Sequence, residues 1–333
     1  MPQPILRYDM RLPAFGTATH AELYAAAIEQ CAWAEDKGFG SVHLSEHHGS
    51  EDGYCPSPLV FASAIAARTE ALQIFISALI VPLHDPVQIA EDLLVLDHIS
   101  RGRVFPILGA GYREEEFRAV GKSLADRKAC MDEIGPFLER AWQGETFTHG
   151  ERTVTITPKP YSRPRPPILM GGSTRAAARR AARHADFFIP TGPEIFEYYR
   201  EELAALGKPD PGSMPMSPAA VFFVAEDPDA YWAQIAPHVQ HETNIYARWA
   251  EQAGMPSPYR HFDDTGALRA SGAYRVMTPA QLVEAAREMA PGQTISFHPL
   301  CGGISPDLAW QSLRLFAGEV LPALREEGLV GSG

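Results

Sequence analysis

Apolar positions along this chain follow two alternating rhythms. Short β-branched or aromatic runs are followed by longer stretches in which apolar side chains return every three or four positions, the spacings of strand and helix. Residues 5–8 (Ile-Leu-Arg-Tyr) read as a first strand. Thr19 is placed to N-cap a helix running to Lys37, with Leu23, Ala27, Cys31 and Ala34 on one face, and Gly38 stops it. Residues 41–44 read as a second strand, and Pro58 opens a helix to Arg68. The run from Leu72 to Val81 reads as a third strand buried on both faces. Pro86 starts a helix that Gly102 ends, and residues 104–108 form a fourth strand followed by Gly109-Ala110-Gly111. Four β–α units in about 105 residues predict a parallel sheet.

The rhythm then loosens. A helix from about Ala125 to Trp142 leads into residues 146–157, which read as a hairpin around His149-Gly150. A Pro-rich segment, 158–167, precedes a fifth strand at 168–170 and a helix from Thr174 to His184. Further strands are predicted at 186–189, 219–225 and 294–297, with a closing helix from Leu308 to Glu326. Eight strands in this order predict the α/β class: a single (β/α)8 TIM-barrel domain over 1–333. It would carry insertions at about 145–166, after strand four, and at 237–276, after strand seven. The second is aromatic and broken by Pro and Gly, as a lid or interface would be. A doubly wound open sheet would want G-x-G-x-x-G after the first strand, and that pattern is missing there.

Composition narrows the function. The chain has 29 Lys+Arg against 41 Asp+Glu, a net charge of −12, which argues against nucleic acid as the main partner. No apolar run approaches the ~20 residues of a membrane span. The N-terminus lacks an export pattern, and the four cysteines (Cys31, Cys55, Cys130, Cys301) lie far apart. Together these point to a reducing cytoplasm, without a disulfide framework or structural zinc.

In such a barrel the chemistry sits where the strands end. After the second strand come Glu46-His47-His48, and the third leads to Pro82-Leu83-His84-Asp85. Gly109, Gly111, Tyr112 and Arg113 follow the fourth, Gly171-Gly172-Ser173-Thr174-Arg175 the fifth, and His298 and Cys301 the eighth. Gly171-Gly172 lets backbone approach a ligand, and Ser173-Thr174 opens a helix whose N–H groups and dipole favour a phosphate. Arg175 and Arg179, one turn apart, add positive charge; the alternative is a plain cap on a solvated basic helix. Successive residues leaving a strand point to opposite sides, so one histidine of the pair faces the cavity and can relay protons. Glu46, His47, His84, Asp85 and His298 compose a conceivable metal set, although H-H is not the H-x-H that places two ligands on one face. Gly109-x-Gly111 is either a tight turn or an approach to a flat ring. Arg127 is a second anion contact or a surface residue. Cys301 reads as packed. Tyr246, Trp249, Tyr259, Phe262 and Tyr274 would line an apolar substrate pocket, pack a lid, or form a dimer contact.

Five segments occur in order: S-E-H-H-G at 45–49, P-L-H-D-P-V-Q-I-A-E-D at 82–92, L-D-H-I-S-R-G-R at 96–103, G-A-G-Y-R-E-E-E-F at 109–117 and M-G-G-S-T at 170–174. The chain thereby resembles the bacterial luciferase-like monooxygenases over nearly its whole length, least from about 192 to 290. The resemblance implies a (β/α)8 barrel, a homodimer, and reduced FMN supplied by a separate flavin reductase, or the deazaflavin coenzyme F-420 in one branch. It implies His47 as the catalytic histidine and a non-prolyl cis peptide at Ser77-Ala78. Cofactor contacts are implied at Glu46, Ser77, Ala78, Gly109, Gly111, Tyr112, Arg127, Met170, Gly171, Gly172, Ser173 and Thr174. Where luciferase has an arginine on the phosphate, this chain has Ala110, leaving Arg127, Arg175 or Arg179 to compensate. The expected activity is oxygen-dependent monooxygenation of a small apolar organic molecule. Hydride transfer with coenzyme F-420 and a metal-dependent barrel hydrolase are the alternatives, followed by flavin binding without catalysis.

Overall fold

The computed structural model describes residues 2–214, 220–255, 257–290 and 292–331. The chain forms two compact units, one from residues 1–43, 50–56 and 216–333, the other from 44–49 and 57–215. The first opens with β1 (Gln3–Tyr8), α1 (His20–Asp36) and β2 (Ser41–Leu44), whose last residue passes into the second unit. The second unit runs through α2 (Pro58–Arg68), β3 (Gln73–Ile80), α3 (Pro86–Ser100), β4 (Val104–Gly109), α4 (Glu114–Ala119) and α5 (Arg127–Trp142). It continues with β5 (Phe147–His149), β6 (Arg152–Val154), β7 (Leu169–Gly172), α6 (Arg175–His184), β8 (Phe187–Pro190) and α7 (Pro193–Ala205). The first unit resumes with β9 (Val221–Val224), α8 (Pro228–Gln252), α9 (Thr265–Ala270), β10 (Tyr274–Met277), α10 (Pro279–Arg287), β11 (Thr294–Phe297), α11 (Pro306–Leu315) and α12 (Leu321–Glu326).

All eight strands of the (β/α)8 order are present, as β1, β2, β3, β4, β7, β8, β9 and β11. Ala219, the expected start of the seventh, lies outside the described residues. In the first unit the order β10-β9-β11-β1 is parallel throughout, and in the second so is β3-β4-β7-β8. The fold class is parallel α/β. The helix signals act as their chemistry requires. Thr19 and Glu22 form a reciprocal capping box on α1, and Asp85 caps α3 through the Val87 N–H. The segment 147–154 is an antiparallel hairpin turning at Gly150, with φ +56°.

Helices α4, α7, α9 and α10 have no counterpart in the sequence reading, and three other features differ from it. Residues 237–252, taken there as irregular, are the second half of α8. Pro237 lies inside that helix, whose buried face (Trp232, Ile235, Ala236, Val239, Thr243, Trp249) continues past it and holds it in place. β10 emerges from the end of the same segment; its four residues become a strand by pairing with β9, a partner about fifty positions away in sequence. β3 is not buried on both faces: Phe75 is half-buried and stacks on Phe105 of β4, ring centroids 5.0 Å apart.

The L-D-x-x-S-x-G-R segment proves to be a structural device. Arg103 donates to the carbonyls of Ala66, Thr69, Leu72 and Ser100 and to Thr69 Oγ1 at 2.7–2.9 Å, closing the end of α2. Asp97 accepts from the Ser162 N–H (2.9 Å) and hydroxyl (2.5 Å), binding the Pro-rich segment to α3.

Candidate active site

The second unit contains most of the residues singled out from sequence. Leaving β2, Glu46 and His47 turn to opposite sides, as strand alternation requires. Glu46 is buried. Its Oε2 accepts the Ile80 N–H at 2.5 Å, and its Oε1 faces His48 Nε2 at 2.8 Å and His84 Nε2 at 2.6 Å. Burial alone would push its pKa up; the hydrogen bonds from His48, His84 and Ile80 outweigh it and hold the carboxyl down at about 2. The same contact with Glu46 raises His48 above its ordinary value, against its own burial.

His47 faces α4 instead. Its Nδ1 donates to Glu116 Oε1 at 2.8 Å, and its ring meets Tyr112 edge-on, centroids 5.6 Å apart. Glu116 is buried and accepts at the same oxygen from the His48 N–H (2.9 Å) and Arg113 Nη1 (3.1 Å); its Oε2 has no partner among the described residues. Burial opposes its ionisation, but the hydrogen bond from His47 and its other contacts lower its pKa. A buried carboxylate holding Nδ1–H fixes the tautomer and commits any proton exchange to Nε2. Glu116 escaped the sequence reading because it is one of three successive glutamates, Glu114, Glu115 and Glu116, of which only the fold buries one.

Within β3 the Ser77-Ala78 peptide is cis, and the pairing with β4 shifts register there between Ser77 and Leu79. A Cβ on Gly109 would lie 2.8 Å from Ala78 Cβ, and one on Gly111, at φ +68°, 2.6 Å from Ile80 Cγ2. Gly109 is therefore dictated by the close approach of the two strands, and Gly111, past the end of β4, by its positive φ and the side chains of Ile80 and Phe117.

At β7, Met170 is buried, and Gly172 admits the first turn of α6, since a Cβ there would meet Ala177 Cβ at 2.3 Å. Thr174 caps α6, accepting the Ala177 N–H at 3.2 Å, with Gly171 and Ser173 beside it in the chain. α5 runs alongside α6 in the same direction. Asp132 meets Arg180 at 2.7 Å, and Gly135 abuts His184, where a Cβ would come within 2.7 Å. Arg127 and Arg175, the first residues of α5 and α6, each stand five residues before that ion pair. Arg127 lines a groove of about 670 Å³ with Arg118, Lys122, Ser123 and Lys128. Arg175 and Arg179 are instead engaged by Glu201 (3.1 Å) and Glu202 (3.0 Å) of α7.

The conceivable metal set does not assemble. Glu46 and His84 meet, but with His48 rather than His47, and Asp85 pairs with Arg152 at 2.7 Å. His298 belongs to the first unit, buried between Glu242 (3.4 Å) and Asp9 (3.5 Å). Cys301 donates to Glu242 Oε2 at 2.7 Å, and burial pushes its thiol pKa up. The aromatic residues after Pro237 pack within that same unit. Tyr246 and Trp249, with Tyr54, enclose the buried Arg11 guanidinium at 4.5–4.8 Å, Tyr259 stacks on Tyr246, and Tyr274 donates to Glu242. Arg11, Asp9 and Glu242 carried no signal in the sequence.

The family model described as luciferase-like monooxygenase matches residues 10–291. The FMNH2-dependent dimethylsulfone monooxygenase of Pseudomonas putida is 28% identical over 174 residues, 49% of this chain and 47% of that protein. The F420-dependent glucose-6-phosphate dehydrogenase of Nakamurella multipartita is 31% identical over 217 residues, 61% of each. The chain spans about half the length of the curated relatives it matches first, at 48% and 56%. Among solved structures, monooxygenase RslO1 from Streptomyces bottropensis shares the fold, with a TM-score of 0.75 and 24% identity over 97% of this chain and 99% of that one. With one family model covering the chain from the end of β1 nearly to β11, the chain belongs to the luciferase-like monooxygenase family.

Proposed function

We propose that this protein is a flavin-dependent monooxygenase that takes reduced FMN from a separate reductase and uses oxygen on a small apolar organic substrate. The observation that carries the reading is the start of α6, where Ser173 and Thr174 lead into the first turn, with α5, which Arg127 opens, tied to α6 through Asp132 and Arg180. Two hydroxyls, first-turn N–H groups and an arginine form a donor set that fits a phosphate monoester dianion. Arg127 would then do the work of the arginine absent at Ala110. Bound reduced FMN would supply the electrons that activate oxygen. Met170, Gly171 and Gly172 would support the cofactor from β7, and Ser77, Ala78, Gly109, Gly111 and Tyr112 from the strand ends. Glu46 holds the Ile80 N–H in place below them. His47, fixed through Nδ1 by Glu116, moves a proton at Nε2.

A homodimer is part of the same reading. Val60 of α2 is 72% exposed, and Val95 and Ile99 of α3 are 50% and 42% exposed, on two helices packed together. Among the described residues no helix is long and apolar enough to cross a membrane. The four cysteines, none of them joined in a disulfide among the described residues, suit a reducing cytoplasm, and the acidic net charge suits neither nucleic acid nor membrane as partner.

Coenzyme F-420 is the second reading, favoured by the likeness to a dehydrogenase named for it. Anaerobic titration of the purified protein with reduced FMN and with reduced coenzyme F-420 separates the two. Tighter FMN binding, weakened by Ser173→Asp, supports the monooxygenase. Tighter F-420 binding makes the protein a hydride-transfer enzyme, and binding of neither overturns both.

A further inference from the structure

We propose that Glu46, His48 and His84 form a site for one divalent transition-metal ion of the zinc type, with water completing the coordination. The three donor atoms, Glu46 Oε1, His48 Nε2 and His84 Nε2, lie within 4.8 Å of one another. Both imidazoles turn the same nitrogen to the same carboxylate oxygen, at 2.8 and 2.6 Å. Two nitrogens and one oxygen, with an open fourth position, is a donor set suited to zinc, cobalt, nickel or copper. Metal–donor bonds of about 2.0–2.2 Å would space tetrahedral donors about 3.3–3.6 Å apart, so the ion needs the contacts to open by about 0.5–1 Å.

The surroundings hold the donors ready. The other oxygen of Glu46 is occupied by the Ile80 N–H, which orients the carboxylate. The His48 carbonyl accepts from Arg113 Nη1 at 3.1 Å and the His84 carbonyl from Lys122 Nζ, so both ligand backbones are anchored from outside the cluster. The Glu46 side chain is buried, whereas those of His48 and His84 are 22% and 27% exposed, giving an ion a way in. The sequence pattern is E-x-H followed by a distant histidine: Glu46 and His48, two apart on an extended backbone, share a face, and His47 between them does not. Glu46 is shared with the proposed cofactor site, but the metal titration reads the ion alone and is decided separately from the cofactor assignment.

The test is a titration of the chelator-treated 333-residue chain with Co²⁺, followed by visible absorption and calorimetry. One equivalent should bind with the ligand-field bands of a nitrogen and oxygen site, without the near-ultraviolet band of a cobalt thiolate. His84→Gln and His48→Gln should each weaken binding by about tenfold or more, and His261→Gln, at an exposed histidine, should leave it unchanged. Cooperative thermal melting confirms that each variant is folded, and if one fails to fold the other decides. Absence of binding, a thiolate band (which would put the ion at Glu242, His298 and Cys301), or affinity equal to the native chain in the folded variants overturns the proposal.

Discussion

Raising the pH from 6.5 to 9 should remove a defined part of this protein's stability, and the group responsible is His298. Its ring is buried, with Nδ1 3.4 Å from Glu242 Oε1 and Nε2 3.5 Å from Asp9 Oδ1. Burial works to lower its pKa, but the two carboxylates outweigh burial and lift it from 6.5 to about 9. Arg7 and Arg11 face the same carboxylates, as do Tyr274 and Cys301, whose own pKa values are pushed well up and out of this range. A folded-state value above the unfolded one means that folding takes up a proton. The contribution is whole below pH 6.5 and is lost as the pH climbs through 9. The interval from 6.5 to about 9 corresponds to roughly 3 kcal/mol. Replacing His298 with Gln leaves two buried carboxylates short of a cation and should cost about 3–5 kcal/mol at pH 6.5. Urea unfolding of the native chain and of His298→Gln, from pH 6 to 9.5 under conditions where each shows a single transition, gives the gap between them. That gap should shrink by roughly 3 kcal/mol across the window. Taking the difference removes His48, which titrates in the same direction in both proteins. A gap that stays constant or widens with pH refutes the assignment of a charged, doubly paired His298.

Three further outcomes follow from named contacts. Glu116→Gln keeps the shape at His47 but removes the charge that three donors share; stability should fall by about 2–4 kcal/mol, and turnover with any substrate found by screening by about a hundredfold or more, with KM little changed. Arg103→Lys cannot reproduce a planar fork on four carbonyls and a hydroxyl; a chemical-denaturation midpoint lowered by about 2 kcal/mol or more is expected, and a loss below about 0.5 kcal/mol would contradict the reading. Val60→Glu combined with Ile99→Glu should turn a dimer into a monomer in analytical ultracentrifugation without lowering the melting temperature of the subunit.

Much was legible in the linear chain because the signals were local. Strand and helix alternation located eight strands, since apolar period and Gly/Pro punctuation are properties of adjacent residues. The cap at Thr19, the turn at Gly150 and the stop at Gly38 are set within a few positions of themselves. The sequence also marked the strand ends where His47, Gly109 and Thr174 lie. What it did not contain was the choice of partner. Glu116 among three glutamates, His48 rather than His47 beside Glu46, and Asp9 and Glu242 around His298 are pairings across 2 to 289 positions, decided by which side chains the tertiary packing leaves without water. Pro237 inside α8 and β10 beside β9 tell the same story for the backbone: a buried face and a distant strand overrode the local breakers. Local periodicity can say that a carboxylate or an imidazole stands near the rim. Only burial, which makes an unpaired charge costly, decides which of them must meet.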